Sequence, residues 1–413
     1  MSILQIISLL FVVTALAGYI NHRFIKLPMS IGLLLFSTFF SLALIVLGHY
    51  RIIDAKNINE LLQRIDFEEL VLHGILSLLL FAGALQVDSS KLKQYALAIS
   101  IFSTLGVLFA AFATAGIIYF FTSLIGIELK FIYCLLFGAL IAPTDPVAVM
   151  AILNKQTKNE ALKAKITGES LFNDGTGVVL FLTVLSFAFA KNSDQISYMS
   201  SIYTLLKELA GGLCVGLTLG IAVTYILKTI DQYDVEVMIT LALAMGAYSL
   251  SEYLHVSAPI ASVVAGLVIG NKARATAMSE KTIEHVDMFF KLIDEILNAL
   301  LFVLIGLQIV SLTFSFSIIT IGIISIAAVL IGRFTSLILC GLLLFKTTFN
   351  FKKMPFIMTW CGLRGGISIA LALSLPAFTQ KNTLLAMTYI VVIFSIIIQG
   401  TTIGKVIDFF EKK

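Results

Sequence analysis

Apolar runs of about 20 residues, separated by short polar stretches, recur along the whole chain, and a run of that length crosses a bilayer core as one helix. Lipid offers the backbone no hydrogen bonds, so a chain built from such runs must close its hydrogen bonds inside helices. The balance of residues agrees: 59% are hydrophobic and 13% are charged, with a mean hydropathy of +1.02. A soluble domain carries about 25% charge. The expected fold class is therefore an all-α polytopic membrane protein. The first run, around Ile3 to Ile20, has no basic leader and no cleavage site, and reads as a retained helix.

Hydropathy predicts thirteen helices, over 3–20, 27–48, 67–87, 94–122, 131–153, 166–190, 204–228, 235–254, 257–271, 286–312, 315–345, 354–378 and 384–407. Twelve is the alternative, because the eighth, ninth and tenth runs divide weakly. No soluble regulatory domain is left over, and the tail after Gly404 is too short for one. Connections after odd-numbered helices, with the C-terminus, hold eighteen Lys and Arg; connections after even-numbered helices hold seven. The positive-inside rule then places the N-terminus outside and the C-terminus in the cytoplasm. Thirteen helices read as six, one and six. The two six-helix halves would be inverted repeats, a plan common in secondary transporters.

Both fifth helices of these halves are broken at a charge. Helix 5 contains Ala142-Pro143-Thr144-Asp145-Pro146; helix 12 contains Cys361-Gly362-Leu363-Arg364-Gly365-Gly366, then Ser368 and Pro376. Proline removes helical hydrogen bonds, and the freed carbonyls are tolerated at membrane depth only where buried or facing a water-filled cavity. A carboxylate, a hydroxyl and a free carbonyl at Thr144-Asp145 suit a small hard cation. The alternative is a proline kink with Asp145 capping a broken helix.

Helix 6 carries Gly168-Glu169-Ser170-Leu171-Phe172-Asn173-Asp174-Gly175. Ser170 and Asp174 share one face; Glu169 and Asn173 share the next. An acid inside a membrane helix costs about 2.5–3.5 kcal/mol and marks an ion or proton path. Asp174 is the candidate for reversible protonation, because desolvation favours the neutral carboxyl. The alternative is a polar patch that joins helices. A serine nucleophile at Ser170 has no neighbouring His in sequence and no G-x-S-x-G elbow, so the chain does not read as an enzyme.

Arg364 needs a counter-charge, and Glu169 is its natural partner; the alternative, compatible with that pairing, is that Arg364 ties helices together. Arg333 either offsets negative charge near the site or bonds helix-end carbonyls. Asp294 and Glu295 are read as acids near the cytoplasmic N-terminal end of helix 10 that suit its dipole, with an ion funnel or a pH-sensing role as the alternative. Cys134, Cys214, Cys340 and Cys361 read as small buried residues, and the five histidines show no metal-ligand spacing. No phosphate-binding glycine loop or cofactor motif is evident, and a net charge of +4 gives no sign of nucleic acid.

At these motifs the chain resembles bacterial sodium/proton antiporters of the monovalent cation:proton antiporter 1 family, over essentially its full length. The likeness is carried by Asn21 to Pro28, Leu80 to Leu85, Thr144-Asp145-Pro146 and Asn173-Asp174. It continues through Ser257-Ala258-Pro259, Gly266 to Asn271, Asp294 to Asn298, Leu304 to Leu307 and Leu363 to Ser368. The resemblance implies a homodimer. Its transport core spans about 94–190 and 315–407, its dimerisation part about 1–88 and 235–312, with a linking helix at about 204–228. It implies that Asp174, Asp145, Ser170 and the Thr144 backbone meet the cation, and that Arg364 holds Glu169. Asn173, before Asp174, is similar to the electroneutral branch, where one cation exchanges for one proton. The chain departs from many relatives at Ala82, where they carry Glu, and at Ala258, where they carry Gly.

The expected activity is exchange of Na⁺ or Li⁺ for H⁺ by alternating access in the cytoplasmic membrane, with cation and proton competing at Asp174. K⁺/H⁺ exchange on the same scaffold and a passive cation channel are the alternatives. The expected partners are these ions, membrane lipid and a second copy of the chain.

Overall fold

The computed structural model describes residues 3–49, 75–87, 89–145, 149–150, 153, 159–189, 198–311, 315–344 and 353–411. Pro146, His73 and the loop cations Arg51, Lys56, Arg64, Lys155, Lys158, Lys191, Lys346, Lys352, Lys412 and Lys413 lie outside them. Among the described residues every regular element is a helix. Eight of these helices are long and apolar enough to cross a membrane. The chain is a multi-pass membrane protein.

In chain order the main helices begin with α1 (Ile3–Ile20), α2 (Met29–His49), α3 (Leu76–Leu85), α4 (Ala96–Ser103) and α5 (Leu105–Leu124). Next come α6 (Phe131–Leu140), α7 (Glu160–Ala188), α8 (Tyr198–Leu227), α9 (Tyr233–Tyr253) and α10 (Ala258–Val268). The last are α11 (Glu280–Leu307), α12 (Phe316–Leu343), α13 (Met354–Trp360), α14 (Gly366–Leu373), α15 (Lys381–Phe394) and α16 (Gly400–Glu411). A π-helical turn, Ser395–Gln399, joins the last two into one long span.

Helices α7 and α11 each begin six residues before the hydropathy boundary, at Glu160 and Glu280. Side-chain caps explain both. Asn159 Oδ1 accepts from the Leu162 N–H at 3.1 Å, and Ser279 Oγ accepts from the Thr282 N–H at 3.4 Å. This corrects the reading of Asp294 and Glu295: they lie in the middle of α11, not near its N-terminal end, so the helix dipole gives no reason for them.

Packing positions two sets of helices around the breaks. α12 runs against α5, which contacts α6, and α7 packs on α6. On the other side α11 packs against α2 and α3, and α10 sits among α3, α8 and α9. The largest apolar cluster includes Phe137 and Leu140 of α6, Phe181 of α7, Phe302 of α11, Leu371 of α14 and Tyr389 of α15. Small residues allow the close crossings that lipid-embedded helices rely on. A Cβ at Gly332 would lie 2.5 Å from Thr114 Oγ1, so α12 meets α5 there with no room for a side chain. Cys134, Cys340 and Cys361 are buried as expected, but Cys214 is exposed, because α8 buries little of its length in the chain.

Candidate ion-binding site

The two expected interruptions are both present and touch each other. Helix ends at Leu140 and does not resume through Asp145; it ends again at Trp360 and resumes at Gly366. A break leaves donors and acceptors unpaired, and buried ones must find partners. The breaks supply these to one another. The Asp145 N–H donates to the Leu363 carbonyl at 2.8 Å. The Arg364 guanidinium donates to the carbonyls of Ala142 and of Pro143, the latter at 3.1 Å. The Arg364 N–H donates to Ser395 Oγ at 3.0 Å, and Gln399 Nε2 donates to the Trp360 carbonyl at 3.3 Å.

Helix α7 closes the site from the third side. Its close approach needs Gly177, where a Cβ would lie 2.5 Å from Pro143 Cγ. Asn173 grips Thr144 twice: its Oδ1 accepts from the Thr144 N–H at 3.2 Å, and its Nδ2 donates to Thr144 Oγ1 at 2.7 Å. The Ser170 and Thr144 hydroxyls lie 2.9 Å apart. Asp174 is the next residue of α7. It is 4% exposed, and its Oδ1 has no hydrogen-bond partner among the described residues.

Asp174, Asp145 and Thr144 line a cavity of ≈ 70 Å³, with Pro143, Gly365, Gly366, Ser368 and Asn298 beside apolar residues such as Leu171 and Leu301. That volume admits a few waters or a mostly dehydrated ion. Two carboxylates with neutral oxygens are a donor set for a hard cation. Gly365 makes the geometry possible, since a Cβ there would lie 2.7 Å from Asp145 Oδ2. Ser170 does not line the cavity; it stands behind Thr144.

The two arginines exchange the roles read from sequence. Glu169 ion-pairs with Arg333 of α12, and both side chains are buried. Arg364, expected on Glu169, instead holds the carbonyls of the other break. The reason is position. Arg364 lies within the interruption, beside the carbonyls that helix 5 releases, whereas Gly332 brings Arg333 into the interior. Arg364 remains within electrostatic reach of both Glu169 and Arg333.

Sequence reasoning named Asn298 and Ser368 within motifs but gave neither a role at the site. Asn298 follows Asp294 by one helical turn, and its Nδ2 donates to Asp294 Oδ1 at 3.0 Å and to the Asp294 carbonyl at 2.9 Å. The i, i+4 spacing was the available signal. Asn298 lines the ion-sized cavity and also a wide one of ≈ 1110 Å³ that holds Asp294, Glu295, Lys291 and Lys26.

The description "sodium/hydrogen exchanger, transmembrane" belongs to a family model that matches residues 11–408. The chain is 44% identical over 410 residues to the Na⁺/H⁺ antiporter NhaP of Pseudomonas aeruginosa, covering 98% of this chain and 96% of that protein. It is 36% identical over 281 residues to the Na⁺/H⁺ antiporter NhaH of Halobacillus aidingensis, covering 66% of this chain and 67% of that one. Its fold resembles the solved structure of the sodium proton antiporter MjNhaP1 from Methanocaldococcus jannaschii, with a TM-score of 0.78, 19% identity and complete coverage of both chains (100%). With the family model spanning residues 11–408 and one relative 44% identical nearly end to end, the chain belongs to the sodium/hydrogen exchanger family.

Proposed function

We propose that the chain exchanges Na⁺ or Li⁺ for H⁺ across the cytoplasmic membrane by alternating access, with cation and proton competing at Asp174. The observation that carries this reading is the small cavity at the crossing of the two broken helices, which Asp174 and Asp145 both line. A carboxylate buried at membrane depth requires a neutralising partner, and there it is either a bound cation or a proton. The names of the relatives speak for Na⁺ rather than K⁺ as the exchanged cation.

Asp174 and Asp145 hold the cation, with Thr144 beside them. Asn173 and Ser170 fix Thr144 from behind. Arg364 and the Glu169–Arg333 pair keep the crossing together. Charge balance supports one-for-one, electroneutral exchange. Asp145, Asp174 and Glu169 oppose Arg333 and Arg364, so one Na⁺ or one H⁺ brings the cluster to neutrality. The wide cavity at Asp294 and Glu295 gives a solvated approach, and Asn298 stands between it and the site.

The assembly is a homodimer in lipid. The part at about 94–190 and 315–407 moves against the part at about 1–88 and 235–312, which forms the interface. The N-terminus lies outside and the C-terminus in the cytoplasm, as the eighteen-to-seven bias in loop cations favours. The two six-helix halves are inverted repeats. No cofactor takes part and the chain is not an enzyme; the ion gradients drive the cycle.

The test is exchange in proteoliposomes that hold a pH dye, with voltage clamped by K⁺ and valinomycin. Added Na⁺ or Li⁺ moves protons in the wild type at a rate unchanged by the clamp voltage, and Asp174→Asn abolishes the signal. Wild-type exchange by Asp174→Asn would sink the mechanism.

A further inference from the structure

The second broken helix brings a serine to the cavity. α14 starts at Gly366, so Ser368 stands in its first turn, and its residue lines the same cavity as Asp145 and Asp174. Ser368 is wholly buried at 0% exposure, and its hydroxyl has no hydrogen-bond partner among the described residues. A buried hydroxyl left unbonded costs about 1–3 kcal/mol. Serines in helices relieve that by donating to a carbonyl one turn back. Ser37, Ser251 and Ser325 each do so here, at 2.8 Å. For Ser368 the residue one turn back is Arg364, inside the interruption, so no helical carbonyl is presented to it. The Ser170 hydroxyl, by contrast, is engaged by Thr144 and lies off the cavity.

We infer that Ser368 Oγ is a direct ligand of the transported cation and sets its affinity and size preference. The inference rests on the cation exchange proposed at Asp174. The hydroxyl is neutral, so it adds an oxygen without altering the charge exchanged. The Asp145 N–H bond to Leu363 ties the two breaks together, so Asp145 and Ser368 come from segments joined to each other. The cation is thus held by α7 and by both broken helices.

The test is the KM for Na⁺, Li⁺ and K⁺ separately, in proteoliposomes at alkaline pH, for wild type, Ser368→Ala and Ser368→Thr. Ser368→Ala is expected to raise the Na⁺ KM about ten-fold, with Vmax changed by less than about two-fold. Its Li⁺/Na⁺ KM ratio shifts, and Ser368→Thr, which keeps the hydroxyl, restores the wild-type order. Equal unfolding temperatures for the three proteins show that folding is unaffected. Unchanged KM values for all three cations in Ser368→Ala overturn the assignment, as does equal impairment of the Ala and Thr variants. Absence of cation-driven proton movement in the wild type overturns the exchange reading itself, and this role with it.

Discussion

Glu169 and Arg333 form a buried ion pair between α7 and α12, and neither lines the small cavity that Asp145 and Asp174 share. Removing one member leaves an uncompensated charge in the interior, which costs about 3–5 kcal/mol. Glu169→Gln and Arg333→Met alone should each lower the unfolding temperature in detergent sharply. The double variant should recover most of the loss, because an apolar replacement of a buried pair is close to neutral. Additive losses in the double variant would show that the two side chains act separately.

Arg364 tests how the breaks are held. Its guanidinium spans the carbonyls of Ala142 and Pro143, and a lysine can offer only a point charge there. Arg364→Lys should therefore lose about 1.5–3 kcal/mol of stability, the worth of a hydrogen bond to a charged group. Were Glu169 the real partner of Arg364, lysine would serve nearly as well. A thermal melt that places Arg364→Lys beside the wild type contradicts the carbonyl assignment.

Gly365 must lack a side chain for Asp145 to reach the cavity. Its Cβ would fall 2.7 Å from Asp145 Oδ2, inside van der Waals contact. Gly365→Ala should displace the carboxylate and lower Vmax/KM for Na⁺ by more than about ten-fold, while expression and unfolding temperature stay close to wild type. Transport at the wild-type rate would mean that Asp145 is placed differently.

Backbone chemistry made part of this site readable in the sequence. Pro143 and the glycine pair Gly365-Gly366 announce interruptions through what they remove from a helix, and both interruptions stand where expected. Buried acids in apolar runs announce a path. Partner choice was not readable in the same way. Whether Glu169 meets Arg333 or Arg364 depends on how closely α12 crosses α5 at Gly332, a packing outcome without a local signal. Helix starts at Asn159 and Ser279 were readable as N-caps but were hidden by hydropathy, which discounts polar first turns. That displacement also misplaced Asp294 and concealed its hydrogen bond to Asn298.

The central claim is that one proton and one cation compete for Asp174. The most direct measurement is the Na⁺ KM and Vmax of exchange in proteoliposomes across a pH series. Lower pH protonates the carboxylate and excludes the cation. On the acidic side the KM should therefore rise about ten-fold per pH unit, the slope for one proton, while Vmax at saturating Na⁺ holds constant. A KM independent of pH, with Vmax falling instead, would contradict competition at a shared site.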